Sequence, residues 1–212
     1  MSCEQLRSGL DLSCAEIAKK YYQQVVLVNR NDVNNKIILT SSVSIDGIYT
    51  CRNRAYFDLK TDLSGFRFSL GENATSIFGS FDKSVIENIP QYNHNVSIVL
   101  AGVDEDTKCK LTQLDYADYF AALQNYDNTI ELFGFEYGLT TQNYNYDPAN
   151  SGGGVVIRLV SFNESFEDLP PLVYKSQNGT EIEDFNNNFQ DVVFDPNGDY
   201  NDDFNNDFNN ED

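Results

Sequence analysis

Hydrophobic and polar residues alternate along much of this chain with the two-residue period of half-buried β-strands. Phe57 and Leu59 alternate with Asp58 and Lys60, which places apolar side chains on one strand face and polar ones on the other. The same pattern, or a short apolar run bounded by turn residues, predicts strands at 25–28, 37–39, 57–59, 66–70, 96–100, 130–133 and 155–160. The stretch at about 140–154, rich in Asn, Tyr and Gly, is predicted to be a loop.

One segment follows a helical period instead. Leu114, Ala117 and Ala121 recur at spacings of three and four residues, with other apolar residues beside them. Such spacing places apolar residues on one face of an amphipathic helix. We therefore predict a single α-helix over residues 111–123 that flanks the strands.

The composition also favours strands. The chain has 212 residues, of which 41% are hydrophobic, and it contains 15 Phe and 13 Tyr but no Trp. Phe, Tyr and β-branched residues favour pleated, half-buried surfaces. The predicted fold class is therefore mainly β, a β-sandwich or barrel with one flanking helix.

The net charge limits the possible partners. With 14 Lys and Arg against 33 Asp and Glu, the formal net charge is −19. This balance argues against proteins that bind a nucleic-acid phosphate backbone, which requires many cationic contacts, and against docking on anionic lipid. It is compatible with a protein that DNA must pass without binding.

The sequence indicates synthesis in the cytoplasm. No apolar stretch is long enough to span a bilayer, and the N-terminus lacks the basic and apolar regions of a signal peptide. We expect the four cysteines to be thiols, since disulfides are rare in that compartment. They are Cys3, Cys14, Cys51 and Cys109.

The last part of the chain differs in composition from the rest. Residues 176–212 contain no Lys or Arg and carry eleven carboxylates. The unit Asp-Phe-Asn-Asn recurs at 184–187, 203–206 and 207–210. Such a composition is too polar to offset its own ordering entropy by burial. We therefore predict a β domain over residues 1–175 and an extended acidic arm over residues 176–212.

Aromatic residues recur within this acidic arm at spacings of four to six. Large aromatic side chains gain free energy when they are buried. They would contribute nothing to a tail that stays disordered and solvated. One interpretation is an arm that binds partner proteins through these side chains; the other is a disordered tail with incidental aromatics. The six candidate partner-binding residues are Phe185, Phe189, Phe194, Tyr200, Phe204 and Phe208.

Residue types that carry chemistry are few. His94 is the only histidine, and no Gly-x-Ser-x-Gly sequence accompanies it, so we predict a structural or surface role for it. No two cysteines have the Cys-x-x-Cys spacing of zinc sites. The sequence therefore predicts neither catalytic residues nor a cofactor.

Two further motifs are weak candidates for ligand binding. The glycines at 152–154 are followed by a strand pattern and not by Lys-Ser/Thr and a helix, so a turn is the better interpretation than a phosphate loop. Residues 195–199 resemble the start of a calcium loop. However, Tyr200 stands at the turn glycine position and Asn206 at that of the final glutamate. No metal site is predicted.

The order of these landmarks resembles a family of tailed-phage virion proteins, the tail tube-like and tail ring proteins. The resemblance lies in three stretches between about residues 3 and 174. They are Cys3-Glu-Gln-Leu-Arg-Ser-Gly9-Leu-Asp-Leu-Ser-Cys14, then the predicted helix followed by Thr129-Ile-Glu-Leu-Phe-Gly134-Phe-Glu-Tyr-Gly138-Leu139, and finally Glu167-Asp-Leu-Pro170-Pro171 after a glycine-rich loop and a strand. The acidic arm departs from the pattern.

The resemblance implies a β-sandwich or barrel whose copies associate head to tail into rings lining the channel for DNA ejection. It implies no catalytic residue and no cofactor. The partners would be further copies of the chain and neighbouring tail, ring or portal proteins in the virion, with DNA passing through unbound and no membrane involved. Whether the chain is a tube subunit or a specialised ring stays open.

Two other classes of function are compatible with the sequence. A β-sandwich binding module could recognise a surface glycan or a partner protein through aromatics such as Tyr144 and Tyr146. A hydrolase would have to use scattered carboxylates without any of the expected motifs. The predicted function is the virion subunit, with the binding module as the alternative.

Overall fold

The computed structural model describes residues 22–45, 48–100, 102, 104–146, 154–162 and 166–197. These residues form eleven strands and two α-helices, so the protein is mainly β, as predicted. The strands are β1 Gln24–Asn29, β2 Val33–Ile45, β3 Ile48–Leu59, β4 Phe66–Ser69, β5 Ala74–Ile86, β6 Ile89–Leu100, β7 Tyr119–Gln124, β8 Ile130–Phe133, β9 Leu139–Tyr146, β10 Val155–Ser161 and β11 Leu172–Tyr174. The helices are α1 Glu105–Leu114 and α2 Glu181–Asn186. Every predicted strand overlaps one of the observed strands.

The strands form one large sheet in the order β2-β3-β11-β8-β7-β9-β10-β6-β5, with β1 paired to β7 and β4. The pairs are antiparallel, apart from the parallel pair of β11 and β3. Among the described strands, β2 and β5 stand at the two ends of this order. Each is 13 residues long.

The central strands β1 and β7 are buried on both faces. Val25 and Leu27 of β1 pack with residues of β5, β6 and β10 in one cluster, called core 1. Val26 and Val28 pack with residues of β3, β8 and β11 in a second cluster, called core 2. Because successive side chains of a strand point to opposite faces, each core receives alternate residues.

The predicted helix over residues 111–123 is wrong beyond Leu114. α1 ends at Leu114, and Tyr119–Gln124 is the strand β7, all six residues of which are buried. A strand that fills two cores has no polar alternation, so it reads as a continuous apolar run. Such a run cannot be distinguished from a buried helix by periodicity.

The predicted loop at 140–154 is also partly wrong. β9 covers Leu139–Tyr146 and pairs along β10, while residues 147–153 lie outside the described ranges. The Tyr144 hydroxyl donates to the Asp115 carboxylate at 2.7 Å. Asn, Thr and Gln dominate this strand, and the low β-propensity of Asn concealed it.

The packed core continues beyond residue 175. Phe185 on α2 and Phe189 just after it are fully buried in core 2, and Phe194 lies against the body as well. An extended arm starting at residue 176 is therefore not observed for residues 176–194. The polar composition of residues 176–212 as a whole did not reveal a local pattern. Phe185 and Phe189, four residues apart, are buried, whereas Glu183 and Gln190 are exposed.

Two hairpins continue beyond the central part of the sheet as two-stranded ribbons. β6 pairs with β10 only up to Asn95, so residues 81–94, here called the β5–β6 ribbon, pair mainly with each other. Glu87 and Asn88 form its two-residue turn, with φ of 51° and 67°, as a type I′ hairpin requires. The β2–β3 hairpin likewise pairs with β11 only at Arg54 and Ala55.

Candidate assembly surfaces

Two of the six predicted partner-binding aromatics lie in this chain's own core. Phe185 and Phe189 both have 0% exposed surface. The Phe189 ring centroid lies 4.8 Å from that of Phe57 and 5.1 Å from that of Tyr174, and Phe185 contacts Phe189 at 5.8 Å. Both side chains are thus used within this chain's own core 2 and are not exposed to a partner protein in this structure.

The other four aromatics are placed differently. Phe194 is half-buried and stacks on Tyr56, with centroids 6.4 Å apart and planes 17° from parallel. Tyr200, Phe204 and Phe208 lie outside the described residues, so their partner contacts stay a prediction. The structure brings Phe185, Phe189 and Phe194 to the β3 side of the molecule.

His94 is a core residue. It is 1% exposed, its Nδ1 accepts from the Gly134 N–H at 3.0 Å, and its Nε2 lies 3.1 Å from the Leu169 carbonyl oxygen. Because Nδ1 accepts, Nε2 carries the proton and donates to Leu169. Burial lowers the pKa of His94 to about 4. The imidazole is thus neutral at pH 7 and links β6 to the β8–β9 turn and the segment before β11. Of the two predicted roles, structural or surface, the structure shows the structural one.

Glu167 is a buried carboxylate that the sequence analysis missed. It is 3% exposed and accepts from the N–H groups of Glu136, Tyr137 and Gly138 at 2.9, 2.9 and 3.3 Å. Burial raises its pKa, and these three donors act in the opposite direction. The carboxylate fixes the turn between β8 and β9. Glu167 begins one of the stretches that carry the resemblance, but no sequence pattern marks it as buried or as holding a turn.

Two cations hold the same turn from its carbonyl side. The Arg30 guanidinium donates to the carbonyl oxygens of Tyr137 at 2.6 Å and Glu136 at 2.8 Å. Lys36 Nζ lies 3.3 Å from the Glu136 carbonyl oxygen, and desolvation lowers its pKa. Both cationic side chains therefore bind backbone carbonyl groups of this turn and stabilise the fold, and they do not point toward a ligand site.

The described residues offer no metal centre and no membrane-spanning helix. Within those ranges, no group of His, Cys, Asp and Glu side chains is arranged to hold a metal ion. No helix there is long and apolar enough to cross a bilayer. Of the two weak ligand motifs, Gly152 and Gly153 lie outside the described ranges, as does Asp199, while the Asp195 N–H is bonded to Gln177.

The most distinctive surface of the molecule is the pair of sheet edges. The Ile77 carbonyl, which points away from β6, accepts from the Tyr22 N–H at 3.3 Å. Since alternate residues of a strand point their backbone groups to the same side, the N–H groups of Phe81, Lys83 and Val85 also point outward. Within the described ranges, no strand pairs with the outer side of β5 or of β2. Unpaired strand edges are templates for pairing with another chain.

Comparison with known proteins adds no relative, because no family model, curated protein or solved structure matches this chain.

Proposed function

We propose that this chain is a structural subunit of a tailed-phage virion, a tail tube or tail ring protein. Copies of it would associate into rings that line the channel for DNA ejection. The resemblance of three stretches between residues 3 and 174 to tail tube-like proteins motivates this assignment. The mainly β fold agrees with it at the level of fold class.

The observation that carries the proposal is the open sheet with a long edge strand at each end. β2 and β5 are each 13 residues long, and each ends the order of paired strands. If the β5 edge of one copy pairs with the β2 edge of the next, every copy uses two different surfaces. Such heterologous contacts close into a ring when the rotation between copies permits, and closure removes the exposed edges.

The charge of the chain suits a channel for DNA. A net charge of −19 on each copy creates a strongly negative potential around a ring of copies. Like charges repel the phosphate backbone, so DNA slides through the lumen without binding. Neighbouring tail, ring or portal proteins would then contact the ring from above and below.

The placement of the polar groups supports a structural role over an enzymatic one. His94 is buried and hydrogen-bonded to two backbone groups, and Glu167 is used by the β8–β9 turn. General acid–base catalysis requires titratable groups that reach a substrate. Both of these groups are instead occupied inside the fold.

Size measurement of the purified full-length chain tests the proposal. We expect light scattering to give a mass of several copies, and negative-stain microscopy to show rings or short tubes with a central channel. A monomer at all concentrations that binds glycans would overturn the proposal and support the binding-module alternative.

A proline at the β5 edge tests the proposed contact itself. In Lys83→Pro the outward N–H is lost, while the β5–β6 ladder is kept because residue 83 does not donate to β6. Proline is tolerated at such edge positions, so we expect a folded monomer. Lys83→Ala removes the same side chain but keeps the N–H, and should still form rings. Equal assembly of the two variants would exclude β5 edge pairing.

A further inference from the structure

One face of the β5–β6 ribbon is largely apolar, and its side chains are exposed. Phe81 and Val85 on β5 lie on this face opposite His94 and Pro90 of β6, and they are 47% and 63% exposed. Tyr92 and Lys83 pair across the ribbon and lie on the same face, and the Tyr92 and Phe81 ring centroids are 6.0 Å apart. The opposite face carries the polar residues Asp82, Ser84, Gln91 and Asn93, and it ends beside the turn with Ile86 and Ile89.

This apolar face is a continuation of core 1 along the ribbon. Ile77 of β5 is fully buried in core 1, and Phe81 and Val85 follow it at even spacing, so all three point to the same side of β5. The Phe81 ring reaches back to His94 at 6.3 Å. A two-stranded hairpin alone is marginally stable in water. A segment packed on the more apolar face would therefore stabilise the ribbon.

The chain arrives at the base of this face. The Tyr22 N–H donates to the Ile77 carbonyl, its ring packs edge-on against Phe133 with centroids 6.2 Å apart, and its hydroxyl donates to Glu131. An open groove of about 430 Å³ begins there. Its lining includes Tyr22, Gly79, Phe81, Pro170 and Pro171.

We propose that residues 1–21 of the same chain cover the apolar face of the β5–β6 ribbon. The part of β5 from Ile77, at the base of this face, to Ile86, beside the turn, is roughly 30 Å long at about 3.3 Å per strand residue. Twenty-one residues reach roughly 70 Å when extended, so the segment spans the ribbon with residues to spare. It also has the right composition, with apolar Leu10, Leu12 and Ile17 and equal numbers of cationic and acidic side chains.

The C-terminal segment is a poorer occupant of this face. Phe194 stacks on Tyr56 of β3, and β3 lies near the end of the sheet order opposite to β5. Residues 198–212 carry six carboxylates and no cation, and burying unpaired charges against apolar side chains is strongly unfavourable. The N-terminal segment is therefore favoured by position and by charge. This inference concerns the single chain and does not depend on the virion role.

Photo-crosslinking in the full-length chain tests the inference. Val85 is replaced by p-benzoylphenylalanine, the protein is irradiated, and the crosslinked peptides are identified by mass spectrometry. We expect crosslinks to residues 1–21. The same photoreactive group at Ser84, on the opposite face of β5, is the matched control and should give few of them. Crosslinks from Val85 mainly to any other segment, or none at all, would overturn the proposal.

Isotope mixing shows whether the covering segment belongs to the same chain. When heavy and light copies are mixed, we expect crosslinked peptides of matched label only, whereas mixed-label products would overturn the same-chain assignment. Ile17→Asp should lower the Val85 crosslink yield roughly tenfold, because the charge would be buried against apolar side chains. Ser13→Asp controls for an added charge at a polar position. Equal yields from these two variants would contradict the proposed contact.

Discussion

The ring of Phe189 lies 4.8 Å from that of Phe57, although the two residues are far apart in the sequence. Phe57 belongs to β3, whereas Phe189 follows α2 in the acidic part of the chain. Both have at most 1% of their surface exposed. The acidic part thus contributes to the folding of the body, at least through Phe189.

Phe189→Ala should destabilise the protein by about 3–5 kcal/mol, the usual cost of removing a buried phenylalanine ring. Urea unfolding followed by circular dichroism measures this change. Phe194→Ala is the matched control, since Phe194 is only partly buried against Tyr56 and should cost roughly 1–2 kcal/mol. Similar losses for both variants would mean that Phe189 does not anchor the segment in core 2.

Two truncations should separate the folding role of the acidic part from its assembly role. A stop codon after Lys175 removes both Phe185 and Phe189, a loss of about 6 kcal/mol or more. That is comparable with the whole stability of a typical domain. We therefore expect this fragment to lose cooperative thermal unfolding. A stop codon after Asn197 keeps the buried residues and should preserve the melting temperature.

The same pair of truncations reports on the outer aromatics. The chain ending at Asn197 lacks Tyr200, Phe204 and Phe208, the remaining candidates for partner contact. If these side chains bind neighbouring virion proteins, this folded truncation should join them more weakly than the full chain. Normal incorporation into virions would instead identify residues 198–212 as a solvated appendage.

Acid should destabilise the protein through His94. The folded-state pKa of His94 is lowered to about 4, so between its unfolded pKa of about 6.5 and pH 4 the unfolded state binds the proton more strongly. The stabilisation is therefore fully present above about pH 6.5 and is lost as the pH falls, by roughly 3 kcal/mol at about pH 4. Because the chain has one histidine, a single imidazole resonance in NMR reports the pKa directly.

The matched variant for this pH dependence is His94→Gln. It should be less stable at pH 7, because the bonds to Gly134 and Leu169 are altered. However, its unfolding free energy should fall less steeply than that of the original chain between about pH 6.5 and 4. An imidazole that titrates near its ordinary pKa would contradict the buried, neutral state of His94.

Glu167→Gln should destabilise the β8–β9 turn. The carboxylate accepts three backbone N–H bonds, whereas an amide offers one oxygen and presents an NH₂ group to the remaining donors. We expect a loss of about 1–3 kcal/mol, the cost of unsatisfied buried donors, together with faster hydrogen exchange at residues 136–138. Asp168→Asn, at an exposed neighbouring position, should change stability by less than about 0.5 kcal/mol.

Seven of the eleven described strands were predicted from the sequence, among them β1, a short apolar run that is buried on both faces. The strands β5, β7, β9 and β11 were not predicted. In β3, Phe57 and Leu59 alternate with polar residues, so the two-residue period is visible. β7 lies between core 1 and core 2, and burial on both faces removes that period. β9 was predicted as a loop for the opposite reason, because most of its residues are polar.

The candidate surfaces were less predictable than the fold. The turn-holding role of Glu167 depends on three backbone groups about thirty residues away, which no local pattern encodes. Phe185 and Phe189 were predicted to bind a partner, because large aromatics are usually buried. Composition alone could not distinguish burial in this chain's own core from burial on the surface of a partner. Among the described strands, the open edges of β2 and β5 follow from the strand order. Strand order depends on pairings between distant segments, which no local pattern encodes.

Burial on both faces also changes what holds β1 and β7 in register. In most strands a slip by one residue would turn polar side chains inward, and that penalty fixes the pairing. Here Val25, Val26, Leu27 and Val28 are all apolar, so polarity gives little protection against such a slip. Side-chain volume has to provide it. Phe120 fits beside Phe57 and Phe135 in core 2, at 5.0 and 5.1 Å, and a slip would carry it into core 1.

Ala121 and Ala122 lie opposite Leu27 and Val26. The small side chains of these two alanines, next to the large ring of Phe120, make the correct register of β7 fit better than a shifted one. Substitutions that even out these sizes would therefore favour misregistered pairing, and not simply looser packing, so this strand tolerates changes of hydrophobicity better than changes of shape.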